Sequence, residues 1–392
     1  PLGSRGLGDV YKRQIKSTSV PAINAPDEVV AEALLLDVGI AIFDPGLEEY
    51  DGDGQVYPEV RKAEARYMPN LLSQAMEQSG AWGAVRVVPD PERISDLSVR
   101  GRIIHSDGET LELAVRAVDS RGYEWLDKTY EGRASAYAYR SATRERYDPF
   151  QAVYNTIAND LLAALGELRP QDRQNVRLTT ELLFAQHFSP EAFDGYLERN
   201  RNDVYLVMRL PAENDPMLER VRTIRERDHT YIDTMQEYYD NFGVAMTGPY
   251  EDWRKLSYKE AVAQQELEAE SRRRLIAGAV AVAAGIAGMA SSDGNSRAAG
   301  NVAVIGGGYL LKSGLEKRAE AQIHVQALEE LGMSLEAEIT PQVIDLEDRS
   351  ITLSGNVEEQ YAQWRQLLAD IYAAEIGALD DPQDSAATPD TL

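Results

Sequence analysis

The 392-residue chain contains no cysteine. Disulfides, thiolate metal sites and a cysteine nucleophile are therefore excluded from it. Histidine is nearly as scarce: His105, His187, His229 and His324 are scattered, without H-E-x-x-H or any other ligand spacing. Each reads as an ordinary surface or core histidine, and neither a metal nor a cofactor is expected. No G-x-S-x-G nucleophile motif occurs. Positive charge is also in deficit, with 40 Lys and Arg against 65 Asp and Glu and a formal charge of −25. Such a surface repels a phosphate backbone and argues against a nucleic-acid partner. Among so many carboxylates, pairs arise by chance, so naming two of them as acid and base carries no information. Long apolar runs are absent but for two.

Those two runs are the most distinctive part of the chain. Leu275–Ala290 (LIAGAVAVAAGIAGMA) and Ala298–Leu311 (AAGNVAVIGGGYLL) are uncharged and flank the polar turn Ser291–Arg297. They read as a helical hairpin over 275–311. At about 1.5 Å per residue the first run spans roughly 24 Å, short of the roughly 30 Å hydrocarbon core. Leu275, Ile276, Val280, Val282 and Ile286 together supply only ~1.5–3 kcal/mol of insertion energy. A lone hairpin would insert weakly. Gly278, Gly285 and Gly288 make sense where helix backbones touch. Gly306, Gly307 and Gly308 would each cost a water-exposed helix about 1 kcal/mol, so close packing is expected to compensate. Arg272, Arg273 and Arg274 precede the hairpin and Lys312, Lys317 and Arg318 follow it, a basic flank suited to lipid phosphates. The competing reading is a buried, water-soluble core hairpin. GGGYLLKSG (Gly306–Gly314) is not a Walker loop, because Leu311 stands where glycine must precede the lysine.

Elsewhere the pattern predicts an α+β protein. LDVGIAIF (Leu36–Phe43) has the look of a buried strand. A helix is expected from about Val60 to Ser79, with Ala63, Tyr67, Leu71 and Ala75 on one face and Pro69 kinking or restarting it. VRVVP (Val85–Pro89) follows as a strand. From Leu97, residues Leu97, Val99, Gly101 and Ile103 alternate with Ser98, Arg100 and Arg102. Turns at Ser106–Gly108 and Asp119–Gly122 give two successive hairpins leading to Trp125 and Tyr130. Asp148 to Leu165 is again helical. These elements place Leu36, Val38, Ile40, Val99 and Ile103 in one core.

Residues Ser4–Gln14 (SRGLGDVYKRQ) resemble the translation of a sequencing-library transposon adapter. Residues 1–14 are accordingly read as an artefact that makes no specific packing contacts, the natural chain starting near Ile15. Over 29–165 the order β-α-β-β-β-β-α, with LDVGIAIFDPG, the "VV" pair, Asp96 to Gly101 and the Asp119 to Gly122 turn, resembles the domain of curli-secretion-type lipoproteins. It is equally similar to penicillin-binding-protein activator lipoproteins and the TolB amino-terminal domain. The whole chain, hairpin included, looks like uncharacterised proteobacterial envelope lipoproteins. The resemblance implies envelope scaffolding or oligomeric assembly without catalysis. The membrane strands of a curli channel have no counterpart, so a secretion channel is not implied.

After a polar link at Arg169–Gln174, residues 175–274 read as helical. Ser189-Pro190-Glu191 carries a helix-start signature. Two amphipathic helices are expected, Asp215–Phe242 and Tyr250–Arg274, separated by Gly243–Pro249. Val221, Ile224, Ile232, Met235, Tyr239 and Phe242 form a stripe at helical spacing that reads as core. Residues 312–377 comprise a helix and a small β-β-α unit, and VIDLEDRSITLSGNVEEQYAQW resembles half of a BON-type domain. Residues 378–392 read as a disordered tail. The expected protein is a non-enzymatic, oligomeric cell-envelope lipoprotein at the outer membrane facing the periplasm, with a membrane-contacting glycine-rich hairpin, acting in envelope assembly, anchoring or conduit formation. Its partners would be membrane lipid, copies of itself and an envelope protein. The alternatives are a cytoplasmic-side scaffold with the hairpin in the inner membrane and, less favoured, a soluble enzyme with an unrecognised carboxylate site.

Overall fold

The structure is a computed structural model that describes residues 12–16, 19–48, 56–140, 143, 147–288, 323, 325–330, 333, 342–345 and 350–377. Alternating apolar residues build its central sheet. Strands β1 (Lys12–Lys16), β2 (Val38–Ala41), β3 (Val85–Val88), β4 (Leu97–Ser106), β5 (Thr110–Asp119) and β6 (Glu124–Arg133) lie in the order β1-β6-β5-β4-β2-β3. β4, β5 and β6 form an antiparallel meander, whereas β2 runs parallel to both β3 and β4. Helix α1 (Pro58–Glu77) makes the crossover from β2 to β3 that parallel neighbours require. One face of the meander buries Leu97, Val99, Ile103, Leu111, Leu113, Val115 and Tyr130 beneath α1 and helix α2 (Gln151–Gly166).

The hairpin turns are held by their aspartates. Asp119 Oδ1 accepts from the backbone N–H groups of Arg121 and Tyr123, while Oδ2 accepts from the Arg121 guanidinium and the Trp125 indole. Gly122 completes that turn at φ +94°, which favours glycine. Asp96 Oδ2 accepts from the backbone N–H of Asp37 at 2.9 Å, tying the start of β4 to the entry of β2. Asp96 and Asp119, singled out in the sequence pattern, are thus strand-junction and turn residues.

Helix α1 is buried on two sides. Ala65, Met68, Leu72, Ala75 and Met76 face the sheet core, but Val60, Ala63 and Tyr67 face a second core. The expected single face is thereby corrected: Ala63 and Tyr67 point away from the sheet, and α1 continues unbroken through Pro69. The second core is helical. It is formed with α3 (Pro170–Phe188), α4 (Pro216–Gly288) and α5 (Val357–Gly377). Strands β9 (Gln342–Asp345) and β10 (Ser350–Leu353) are antiparallel and, with α5, give the expected β-β-α unit. The fold class is α+β.

Four expectations are revised. Arg169–Gln174 is not a link: Pro170 and Asp172 form the first turn of α3, and Arg169 pairs with Asp172 at 2.8 Å. Ser189-Pro190-Glu191 ends that helix, since Ser189 N–H bonds the Ala185 carbonyl, and a short hairpin of β7 (Leu197–Arg199) and β8 (Tyr205–Val207) follows. The two predicted amphipathic helices are one, α4, 73 residues long and passing through Gly243, Gly248 and Pro249. Proline costs a helix interior about 3 kcal/mol and each glycine about 1. Around them Phe242, Met246, Tyr250 and Trp253 are all buried, each contributing roughly 1.5–3 kcal/mol. Packing outweighs propensity. Finally, Lys12, Arg13 and Gln14 do contact the body, as β1 pairs in parallel with β6 from Lys12↔Thr129 to Lys16↔Arg133. That ladder uses backbone groups, and an open sheet edge pairs with extended chain whatever its side chains.

Candidate functional site

The long helix α4 carries or contacts several of the buried charged side chains, Asp228 and Arg254 among them. One of its contacts with the sheet is through Gln236. The side-chain amide of Gln236 accepts from Val87 N–H at 2.9 Å and donates to Val87 C=O at 2.9 Å. It thus plays the part of a neighbouring strand on the outer edge of β3. Beside it, Asp233 takes two hydrogen bonds from Arg86, at 2.5 and 3.1 Å. One turn earlier, Asp228 and Arg93 form an ion pair at 3.0 Å with both side chains buried. The Tyr361 hydroxyl of α5 reaches Asp228 at 3.5 Å, so sheet, α4 and α5 meet at one charge pair. His229 sits alongside; burial first, then Arg93, Arg225 and Arg86, hold its pKa down to about 3.

Further along α4, Arg254 is 1% exposed and grips Asp148 through two hydrogen bonds of 3.0 and 2.6 Å, while its guanidinium lies 4.1 Å from the Tyr250 ring centre. Tyr250 donates to Glu64 Oε1 at 2.5 Å, and Ser106 donates to the same oxygen at 2.6 Å. Glu64 is fully buried, and burial raises its pKa despite Arg61, whose Nε lies 3.7 Å from Oε2. The turn between β4 and β5 closes this seat, because Gly108 N–H bonds Ser257 Oγ at 3.0 Å. Chemically this is a closed junction. Asp148 is held by the Arg254 guanidinium and Glu64 Oε1 by two hydroxyls, while Glu64 Oε2 is buried with no hydrogen-bond partner among the described residues.

The residues singled out from sequence fall at the other end of the same helix. Arg272, Arg273, Arg274, Gly278, Gly285 and Gly288 lie on α4, so the first apolar run continues a helix rooted in the folded body. Gly306, Gly307, Gly308 and Lys312 lie outside the described residues, as do His324 and residues 378–392. Among the described residues no helix is long and apolar enough to cross a membrane, and no cluster of three or more metal-ligating side chains occurs. His105 bonds Asp107 at 2.8 Å, and His187 meets Arg365 at 2.9 Å. The three described histidines, His105, His187 and His229, lie in separate places.

Sequence reasoning passed over Glu64, Arg93, Asp148, Asp228 and Arg254. A signal existed for one of them. Continuing the Met235, Tyr239, Phe242 stripe leads through Met246 and Tyr250 to Arg254 four residues on, which places a cation on a buried helical face. Comparison with protein-family models, with curated proteins and with solved structures gives no match. The resemblances described above therefore rest on the residues quoted for them.

Proposed function

We propose that the protein is a non-enzymatic bacterial cell-envelope protein that acts in assembly or anchoring. In this reading it sits at the outer membrane facing the periplasm and associates with membrane lipid and with copies of itself through its glycine-rich hairpin. One observation carries the reading: α4 is a single helix whose root is locked into the body and whose end is the apolar run from Leu275. The locked part runs through Trp253 and Arg254, both buried, past Ser257, which accepts from Gly108 N–H, to Gln265, which donates to Glu109. From Glu266 to Gly288 the helix adds 23 residues, roughly 35 Å at 1.5 Å each. A rod fixed at one end and apolar at the other suits transmission of position, not turnover. The closed junction at Glu64 and Asp148 supports the non-enzymatic part, since buried carboxylates held by arginine and hydroxyl donors serve packing. The weak insertion energy of the run favours several copies acting together.

The test is flotation with anionic phospholipid vesicles alongside sedimentation velocity, on wild type and on Gly285→Glu. Wild type is expected to float with vesicles or to sediment as an oligomer. Gly285→Glu should abolish both, because a carboxylate in an apolar helix contact costs a few kcal/mol per chain. Wild-type protein that ignores vesicles and sediments as a monomer would overturn the proposal.

A further inference from the structure

A second feature lies away from the apolar run. The segment from Pro91 to Arg100, the end of α3 and the β7–β8 hairpin enclose an open groove of about 400 Å³. Its size lies within the range of small-ligand sites, roughly 300–1,000 Å³. Its charge is the reverse of the molecule's. Arg93, Arg100 and Arg199 line it against one carboxylate, Glu92, in a chain where acids outnumber bases by 65 to 40.

The donors there are either fixed or cheaply released. Arg93 is 6% exposed and held by Asp228, yet its Nε is buried without a hydrogen-bond partner among the described residues. Arg100 and Arg199 are about half exposed and pair with Glu92 at 2.9 Å and Asp203 at 3.4 Å, both more exposed still. Such surface pairs contribute only about 0–1 kcal/mol, so either arginine can exchange its partner for a ligand. Arg199 is also stacked 4.5 Å from the Tyr205 ring, which orients its planar fork. His187 also lines the groove. A guanidinium can only donate, so the 2.9 Å contact from Arg365 makes His187 Nε2 the acceptor and leaves the hydrogen on Nδ1. Burial and then Arg365 lower the His187 pKa, which keeps that tautomer neutral.

We propose that this groove binds a small oxyanion, a phosphate or carboxylate group bridged between Arg100 and Arg199. Planar guanidinium forks match both anions bidentately, and these are the stronger hydrogen bonds available to a protein. The proposal does not depend on the membrane reading, because the groove shares no residue with the apolar run.

The experiment is calorimetric titration of the full chain with pyrophosphate and, separately, with citrate. Ionic strength is matched with sodium chloride, and trehalose serves as the neutral control. Saturable binding of at least one anion is expected, with trehalose silent, and the tighter anion identifies phosphate or carboxylate as the source. Arg100→Gln combined with Arg199→Gln should weaken that binding at least tenfold with an unchanged melting temperature. Arg116→Gln, an exposed arginine on β5 paired with Glu124, should leave it intact. No saturable binding of either anion, or an equal loss in Arg116→Gln, would overturn the proposal.

Discussion

Two buried titratable groups in this protein pull stability in opposite directions with pH. Glu64 has a folded pKa raised above its ordinary 4.5. The folded state therefore holds that proton more tightly, and its contribution is complete at low pH and lost as pH rises through the folded value. His229 is the reverse. Its folded pKa of about 3 lies far below the ordinary 6.5, so between these values the unfolded chain binds more protons and stability falls as pH drops. The slope from a single such group reaches about 1.4 kcal/mol per pH unit. Because Glu64 acts with the opposite sign, the wild-type curve alone does not isolate His229. His229→Gln should flatten the fall in urea-unfolding stability from pH 6.5 towards pH 4 while changing little at pH 8. An unaltered pH profile would show that His229 is protonated in the folded protein.

At the scale of elements, the hairpin turn of β4 and β5 and the long helix are one unit. Gly108 lies so close to α4 that an added Cβ would collide with the backbone of Arg254 and Tyr258, and Tyr139 also donates its hydroxyl to the Gly108 carbonyl. Gly108→Ala should therefore destabilise by about 1–3 kcal/mol, the usual cost of overpacking. Gly166, the last residue of α2, has open space around its Cβ position. Gly166→Ala should stabilise by a few tenths of a kcal/mol up to about 1. Urea midpoints moving the same way in both variants would refute this account.

What the sequence revealed follows from the same physics. β2 to β6, α1 and α2 were legible because alternation and helical spacing reflect a local choice of buried face, and Leu97, Val99, Ile103, Leu111 and Leu113 are indeed buried together. The continuity of α4 was not legible. Gly243, Gly248 and Pro249 are local breakers, and the partners that override them come from α1 and α5, distant in the chain. The β7–β8 hairpin was missed because its strands are three residues each, too short for a period. Of the buried charges, only Arg254 was foreshadowed by the stripe on α4. The arginine groove assembles residues from four separate segments, a juxtaposition that no spacing within one segment encodes.

Across the whole molecule, α1 is packed on two sides: it completes both the sheet core and the helical core. Neither layer can lose the other without exposing one face of that helix, which argues for a single cooperative transition. The four tryptophans report on this. Trp82 and Trp125 pack in the sheet layer, while Trp253 and Trp364 pack in the helical layer. One variant carrying Trp82→Phe and Trp125→Phe, and another carrying Trp253→Phe and Trp364→Phe, each leave reporters in one layer. Their fluorescence transitions in urea should each coincide with the loss of far-UV circular dichroism in the same variant. A layer that melts separately would show the two cores to be independent.

The amide of Gln236 has a consequence for the protein's fate under stress. It occupies the outward-facing backbone of Val87 on a strand reading Val-Arg-Val-Val. Should α4 peel away, that short β-branched edge would be bared at the same moment as the apolar stripe of the helix itself. A bare strand edge is a template for another chain. Damage to the helix root would then show up as precipitation before it showed up as lost secondary structure. In this light the long helix is also a sheath, and a polar residue on its inner face is what keeps the sheet from growing.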